Sequence, residues 1–429
     1  MRIAIIGTGI SGLTAAHHLH RDHDLTLFES NRHIGGHTHT HDIEHDGEQH
    51  AIDTGFIVFN EKNYPHFCTL MHELHVDSQP TSMSFSVRCD RTGLEYNGSS
   101  LNQIFAQRSN LFRPSFLGML RDISRFNQIA PALAGVGDST TTARSEFICS
   151  DDMTVDAFVQ SHHLGTTFYE KYLIPLGASL WSCPPKMFRQ FPIRFVAEFL
   201  HNHTMLQYAG RPIWRAIKGG SKQYIAPLVH PFRDCIRLNT PVQQVRRLED
   251  RVEISTTTAG CESFDHVILA CHADTSLALL ADASPVEREL LSAFPYQANE
   301  AILHTDVSVL PRLRRAWASW NYHIPKEESE QVSVTYNMNM LQNLTSKNTF
   351  CVTLNHDGAI DPARILRRID YHHPVYTMRR AAAQLRHHEV ININRTSMCG
   401  AYWGYGFHED GVKSGLAVAK SILKTPQPR

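Results

Sequence analysis

The sequence predicts an α/β fold in which a parallel-sheet domain is assembled from separated chain segments and an α+β domain is interleaved between them. Three observations carry this reading. A strand–turn–helix–strand unit opens the chain. Strand texture of the fully buried kind returns far downstream, at His266-Val267-Ile268-Leu269-Ala270. Helical and β-rich stretches fill the chain between. A length of 429 residues gives a prior of two to three domains.

Arg2 to Ile6 is a short apolar run with β-branched residues, suited to a strand buried on both faces. Gly7-Thr8-Gly9-Ile10-Ser11-Gly12 follows, and Leu13 to His20 then places Leu13, Ala16 and Leu19 or His20 at helical spacing. Leu25 to Phe28 is the next apolar run and ends on Glu29. Together these make a βαβ unit of about thirty residues, the minimum unit of a parallel sheet. Residues 37 to 53 alternate in polarity around Asp46-Gly47, which reads as a β-hairpin. Leu101 to Leu133 is helical in pattern, through Phe112, Phe116, Met119, Leu120, Ile123, Phe126 and Ile129. Gly135 to Arg144 is a Gly/Ser/Thr-rich break that reads as a surface loop. Helical texture resumes from Val155 to Phe199.

Thr240 to Ser255 returns to strand character through Val242, Val245, Val252 and Ile254. Residues 301 to 355 are largely β in texture, with Trp317, Trp320 and Tyr322 clustered. A helix from about Glu409 to Leu423 closes the chain, with Val412, Leu416, Ala419 and Leu423 on one face. Thr425 to Arg429 reads as a frayed end. The expected division is 1–56, 216–290 and 393–424 for the parallel-sheet domain. The interleaved domain takes 57–215, largely helical, and 291–392, β-rich.

Composition excludes several functions. The 41 Lys and Arg residues meet 42 Asp and Glu for a formal charge of −1, so no basic face is expected for nucleic acid. Hydrophobic residues at 42% against 19% charged supply a core and argue against disorder. No run of roughly eighteen apolar residues exists to span a membrane, and Met1 to Gly7 lacks a signal-peptide layout. Nine cysteines with no C-x-x-C pair suit a reducing compartment, and neither a zinc site nor a disulfide framework. A cytoplasmic protein is expected.

Gly7-x-Gly9-x-x-Gly12 follows a strand, opens a helix, and has an acidic residue, Glu29, ending the next strand. In that context it is a dinucleotide-binding fingerprint. Gly7 permits the tight turn, Gly9 lets the backbone approach a pyrophosphate, and Gly12 allows helix to pack on strand. The helix N-terminus at Ile10 and Ser11 presents free N–H groups to the phosphates. Glu29 is placed to accept hydrogen bonds from the ribose hydroxyls, and its charge disfavours a 2′-phosphate.

Glu29-Ser30-Asn31-Arg32-His33-Ile34-Gly35-Gly36-His37-Thr38, followed by Asp53-Thr54-Gly55-Phe56, resembles the FAD site of the flavin-containing amine oxidase superfamily. The resemblance implies a noncovalent FAD held by a Rossmann-like domain interleaved with an α+β substrate domain. It implies that Gly35, Gly36 and His37 follow the pyrophosphate and ribityl chain, that Ser30 stands beside Glu29 at the ribose, and that Gly55 and Phe56 pass the isoalloxazine. The superfamily's usual Arg after the glycine pair is here His37, which lacks the guanidinium fork and is mostly neutral at pH 7. The strand at Val245 looks like the one whose backbone meets the adenine. Met398-Cys399-Gly400-Ala401 and Gly404-Tyr405-Gly406-Phe407-His408-Glu409-Asp410-Gly411-Val412 resemble the terminal flavin-contacting turn and helix, with Gly400, His408, Glu409 and Val412 touching the cofactor. That helix N-terminus would face the flavin edge where negative charge develops on reduction.

Asn60 to Pro65 (NEKNYP), Met83 to Val87, Tyr172 to Pro175, Trp181 to Pro184 and Gly404 to Gly411 (GYGFHEDG) resemble the flavoprotein half of plant cyclopropane fatty acid synthases and its free-standing bacterial relatives. That likeness runs from Arg2 to Leu423 and implies a connection to modified fatty acyl chains. The favoured reaction is dehydrogenation or desaturation of a small-molecule or lipid substrate. An amine or amino-acid oxidase releasing hydrogen peroxide is the alternative enzyme. A flavin-binding partner of a lipid methyltransferase, without turnover of its own, is the third reading.

Many amine oxidases of the superfamily place a lysine near the flavin; set against that strand, Glu300 takes its position, either as a general base or as a solvent-facing strand residue. Trp403, Tyr405 and Phe407 alternate with glycines before the last helix and either wall the substrate pocket or pack on the sheet. Among 28 histidines, His33, His37, His39, His41, His45 and His50 crowd one stretch, and 37, 39 and 41 share one face of a strand. No fourth ligand is apparent, so no metal is expected. The Phe-rich stretch 101–133, flanked by Arg108, Arg113, Arg121 and Arg125, is either core or a lid in peripheral contact with the inner face of the membrane.

Overall fold

The computed structural model describes residues 1–135, 153–258, 260–327 and 331–424. The Gly/Ser/Thr-rich break beyond Gly135 and the Thr425–Arg429 end lie outside the described residues. Two compact units are each assembled from separated segments: unit 1 from Met1–Gln79, Ala216–Tyr296 and Arg379–Arg429, unit 2 from Pro80–Arg215 and Gln297–Met378.

Unit 1 contains, in chain order, β1 (Arg2–Ile6), α1 (Ile10–Leu19), β2 (Asp24–Phe28), β3 (Thr40–His45), β4 (Glu48–Asp53), α2 (Pro65–Glu73) and β5 (Ile236–Arg237). Then come β6 (Val242–Arg247), β7 (Val252–Thr256), β8 (Gly260–Phe264), β9 (His266–Leu269), β10 (Thr396–Met398) and α3 (His408–Lys424). Five strands form a parallel sheet in the order β5-β2-β1-β9-β10. Ala4, Ile6, Phe28, Val267 and Leu269 on one face pack against Val245, Val252, Ile254 and Phe264 of the β6-β7-β8 meander. Alternate residues Ile3 and Ile5 point to the other face and are equally buried. Burial on both sides is why this strand reads as a continuous apolar run.

The β3–β4 hairpin pairs His45 with Glu48, leaving Asp46 and Gly47 as a two-residue loop. Their φ angles of +50° and +78° are those of a type I′ turn, whose twist matches the flanking strands.

Several elements depart from the sequence expectation. Helix α1 starts at Ile10, three residues before Leu13, because Gly9 already takes the extended N-cap conformation. The stretch 101–133 breaks into Leu101–Ile104, a 3-10 turn at Arg108–Phe112, and Pro114–Leu133. Pro114 stands in the first turn, where its missing N–H costs nothing, and holds Arg113 extended. Residues 155–199 divide among the helices Val155–Ser161, Ile174–Trp181 and Ile193–Asn202 with shorter turns between. Residues 57–79 group with unit 1, not with the helical insertion, since α2 packs on α3. Residues 379–392 also lie in unit 1, where Arg380 donates to the Tyr402 carbonyl at 3.2 Å.

Unit 2 is built on a seven-stranded mixed sheet in the order Ile365–Pro374, Tyr296–His304, Cys351–Leu354, Val334–Asn337, Trp320–Ile324, Phe85–Cys89, Leu94–Asn97. Phe116, Met119 and Phe126 of the Pro114–Leu133 helix are buried, so that stripe is core. Phe126 is ringed by Phe158 at 6.0 Å and Phe168 at 5.7 Å. Phe126→Ala should cost about 3–5 kcal/mol in urea unfolding. Leu117→Ala, on the exposed side of the same helix, should stay within about 0.5 kcal/mol.

Candidate functional site

The three glycines between β1 and α1 differ in what the protein itself requires of them. Gly7 has φ +106°, and a β-carbon there would lie 2.8 Å from the Ala270 carbonyl oxygen. At Gly12 a β-carbon would meet the Gly7 oxygen at 2.2 Å, so packing demands glycine. Gly9 has an ordinary φ of −67°, and its β-carbon would meet nothing within 4 Å. Neither strain nor packing accounts for glycine at position 9. Its bare backbone opens onto space at the start of α1. Gly35 (φ +129°) forms a bridge to Gly9, and a β-carbon on Gly36 (φ +60°) would sit 3.1 Å from the Gly9 Cα. Two glycine backbones thus line one cradle.

Glu29 closes the cradle at the end of β2. Its buried carboxylate accepts from the Thr8 N–H at 3.1 Å and hydroxyl at 2.6 Å, and from the Asn31 N–H at 2.9 Å and side-chain amide at 3.1 Å. The Ser30 hydroxyl stands 3.4 Å away. A carboxylate has about four acceptor positions, so these bonds fix its orientation beside the glycine turn. The Thr240 N–H donates to the Glu29 carbonyl at 2.8 Å, which brings the start of β6 to the same place.

Helix α3 lies alongside α1, pointing the same way, through two glycines. A β-carbon on Gly411 would be 2.6 Å from Ile10 Cγ2, and one on Gly415 would be 2.4 Å from the Ser11 carbonyl oxygen. Both helix N-termini therefore converge at the cradle, with first-turn N–H groups that have no acceptor inside their helices. The buried stripe of α3 runs through Gly411, Val412, Gly415, Val418 and Ile422, whereas Leu423 is 45% exposed. Of the expected face, Val412 and Ala419 are buried, Leu416 is half-buried and Leu423 is exposed, because the glycines that bring the axes together shift the contact toward Gly411 and Gly415.

At the start of α3, the His408 ring stacks on Phe56 at 3.7 Å, the two planes nearly parallel. Its Nε2 is 2.8 Å from the Tyr224 hydroxyl and 3.2 Å from the Thr38 hydroxyl, which also meet each other. Burial pushes the imidazole down to about 3, so it is neutral at pH 7. Gly55 is required by close backbone approach, since its β-carbon would lie 2.2 Å from the His37 oxygen. The Phe56 N–H donates to that same oxygen at 2.7 Å. The His37 ring stands 6.2 Å from His272, which stacks on Tyr296.

Other expected residues are placed differently. Trp403 is buried, stacked on His387 at 4.1 Å and edge-on to Phe294, so it packs in the core of unit 1. Tyr405 and Phe407 remain half-exposed. Glu409 directs its buried carboxylate to the N–H groups of His66 (3.1 Å) and Phe67 (2.9 Å), capping α2. Gly400 donates its N–H to the Ser414 hydroxyl at 2.9 Å. Val245 is fully buried and its carbonyl accepts from Ala281 at 3.0 Å, whereas Val242 at the start of β6 is only half-buried. Glu300, in unit 2, is half-exposed and pairs with the Arg368 guanidinium at 2.8 Å, the solvent-facing alternative to a base. His33 and His39 stack at 4.0 Å, and the His41 ring lies tilted against His39 at 4.1 Å. Among the described residues no group of three or more His, Cys, Asp and Glu side chains is arranged to hold a metal.

Sequence reasoning missed Tyr224 and Gly415, and it placed Thr38 and Asp53 in the glycine-rich motifs without assigning either a role, although Asp53 is a buried acid. The Asp53 carboxylate accepts from the Ser221 N–H at 2.9 Å and hydroxyl at 2.8 Å and from the Thr40 hydroxyl at 2.5 Å. The Gly219-Gly220 pair, both at positive φ, was the signal for this docking loop. The open backbone at Gly9 and two helix N-termini form a donor set suited to phosphate groups, beside the Glu29 carboxylate held in place by its four internal hydrogen bonds.

Burial pushes the Asp53 carboxyl up to about 6 despite its hydrogen bonds, and burial raises Asp410 to about 6 as well. A folded-state value above the unfolded one makes each contribution to stability full below the ordinary carboxylate range and lost as pH rises through about 6. Asp53→Asn should therefore reduce the fall of Tm between about pH 4 and 6, in thermal denaturation across that range. An unchanged slope would contradict the burial argument.

The sequence profile of a family described as flavin containing amine oxidoreductase matches residues 10–340. No curated protein sequence matches the chain. Among solved structures, a putrescine oxidase bound to putrescine superposes with a TM-score of 0.69 at 12% identity, covering 99% of this chain and 100% of that one. Cyclohexylamine oxidase from Brevibacterium oxydans IH-35A gives 0.68 at 15%, covering 99% of each. A CLA-producing fatty acid isomerase from P. acnes gives 0.66 at 17%, covering 99% and 98%. At these identities the likeness is one of fold. The profile match spans most of the chain, and on it the chain belongs to the flavin containing amine oxidoreductase family, as an FAD-dependent oxidoreductase.

Proposed function

We propose that unit 1 holds one noncovalent FAD along the Gly9–Gly35–Gly36 cradle, and that the enzyme dehydrogenates or desaturates an apolar substrate, a fatty acyl chain or modified lipid. The observation that carries the cofactor placement is Gly9, the N-cap of α1, whose backbone opens onto space that neither its conformation nor its packing requires to be empty. The N–H groups of Ile10 and Ser11, with the Gly36 and His37 backbone, meet the pyrophosphate. Glu29 and Ser30 address the ribose, and the strand at Val245 meets the adenine through its backbone, with the half-buried Val242 at its start. Gly55 and Phe56 flank the ring system. The first turn of α3 (His408, Glu409 and on to Val412), with Gly400, presents backbone to the edge that becomes negative on reduction.

Bound FAD supplies hydride acceptance from a C–H bond. The chain supplies position and dryness: Tyr405 and Phe407 offer aromatic surface to an apolar substrate, and the neutral His408 holds Phe56 flat through its stacked ring. The acyl substrate is favoured by the motif likeness to cyclopropane fatty acid synthases and by the fold likeness to a fatty acid isomerase. The two amine oxidases of the same fold favour the amine alternative. The methyltransferase-partner reading rests on the motif likeness alone.

Anaerobic mixing of the holoprotein with fatty acids or phospholipid extract should bleach the flavin. Bleaching by amines only, with peroxide formed in air, would replace this reading with the amine oxidase. A flavin reduced by neither, yet required by a methyltransferase, would leave the partner role. Gly9→Val should purify folded and colourless, whereas Gly12→Val should fail to fold, in flavin absorbance and circular dichroism. Glu300→Gln should leave the rate of flavin reduction unchanged, and a slowed rate would return Glu300 to the mechanism.

A further inference from the structure

One surface of unit 2 combines projecting apolar side chains with two arginines, Arg108 and Arg113, that pair with no carboxylate among the described residues. The Leu101–Ile104 helix, the Arg108–Phe112 turn and the start of the Pro114–Leu133 helix fold into a knob. Phe105 packs on Phe116 at 6.0 Å, Arg108 donates to the Asn102 side chain at 2.6 Å, and Arg113 to that of Gln107 at 3.4 Å. Phe112 at the tip is 86% exposed and Leu101 is 76% exposed; Leu111 and Leu117 stand beside them at 44% each. Scattered exposed leucines need no explanation, but a contiguous group does.

The charge around the knob is one-sided. Between positions 95 and 135 the sequence has two carboxylates, Glu95 and Asp122, and both are buried. Asp122 accepts from the Gly165 N–H at 2.9 Å and pairs with Arg125 at 3.3 Å and Arg121 at 3.6 Å. Glu95 turns inward to accept from the N–H groups of Arg312 and Leu313, each at 3.0 Å. That contact draws a second exposed loop, Arg312-Leu313-Arg314-Arg315, to the knob, and the Arg314–Ala316 turn packs against the Leu101–Ile104 helix. Arg312 is paired with Asp90 at 3.7 Å, and Arg314 lies over the Trp317 ring. Arg108 and Arg113 bond only neutral oxygens among the described residues.

We propose that this surface docks the enzyme on an anionic lipid bilayer, with Phe112, Leu111 and Leu101 entering the headgroup boundary and Arg108, Arg113 and Arg315 meeting lipid phosphates. Apolar tips inside a basic rim satisfy both terms of interfacial binding, insertion and electrostatic attraction. Attachment is to the surface, since no helix among the described residues is long and apolar enough to cross a membrane. The proposal does not depend on where the flavin sits.

Co-sedimentation of the holoprotein with phosphatidylcholine vesicles, with and without phosphatidylglycerol, tests it. Binding should require phosphatidylglycerol and weaken with salt. Arg108→Gln and Arg113→Gln should each weaken it roughly fivefold, and Leu111→Ser with Phe112→Ser should abolish it while Tm and bound flavin stay unchanged. Absence of binding to anionic vesicles at low salt would overturn the proposal, as would binding that survives the Leu111 and Phe112 changes. A concentration-dependent dimer lost in those variants, without vesicle binding, would overturn it in favour of a second copy of the chain.

Discussion

Gly411 and Gly415 let the last helix lie directly on the first, and the site in unit 1 is arranged around that contact. A β-carbon at either position would drive into Ile10 or the backbone of Ser11. Any widening between the helices would pull apart their N-termini, which come from opposite ends of the chain. It would also carry His408 away from Tyr224 and Thr38, and Glu409 away from the first turn of α2. This close helix-on-helix contact therefore sets the positions of the glycine cradle, the buried aromatic–imidazole network and the cap of a third helix. Packing of this kind tolerates little, because interiors are as dense as crystals and backbone atoms cannot rotate out of the way.

The second feature of unit 1 is the number of polar groups it buries close to the cradle. Glu29, Asp53, His408 and Glu409 are all buried, and each is satisfied by two or more hydrogen bonds or close polar contacts from other segments. Burying such groups is costly unless every partner is in place. Their arrangement ties the hairpin, the Gly219–Ser221 loop, α2 and α3 into one frame without apolar contacts alone. The pairing of Asp53 with Ser221 and of Glu409 with α2 uses side chains that a reading from motifs assigns to ligand contact or ignores.

Much of this frame was legible in the sequence where the signal was local. The strand–glycine turn–helix–acid spacing marked β1, α1 and β2, and Asp46-Gly47 marked the hairpin loop, because turn chemistry depends on neighbouring residues only. The face of α3 was legible at Val412 and Ala419 but not at Gly411 and Gly415, because glycine carries no weight in a hydrophobic pattern, yet it is the residue in contact. Trp403, Tyr405 and Phe407 alternate in sequence, and spacing alone could not tell which of them turns into the core. Val245 and Glu300 were read from strand likeness, which does not give register or cross-strand partners: the Val245 side chain lies in the core and Glu300 pairs with an arginine. The helical pattern at 101–133 hid both the break at Pro114 and the exposed tip at Phe112, since periodicity reports amphipathicity without saying where a helix stops.

The central claim is that the open backbone at Gly9 exists to receive FAD. The most direct measurement is the flavin content of the purified chain, by its visible spectrum and by release of the chromophore on denaturation. One FAD per chain, freed from the denatured protein, is the expected result. A colourless protein that takes up no added FAD would contradict the account at its base.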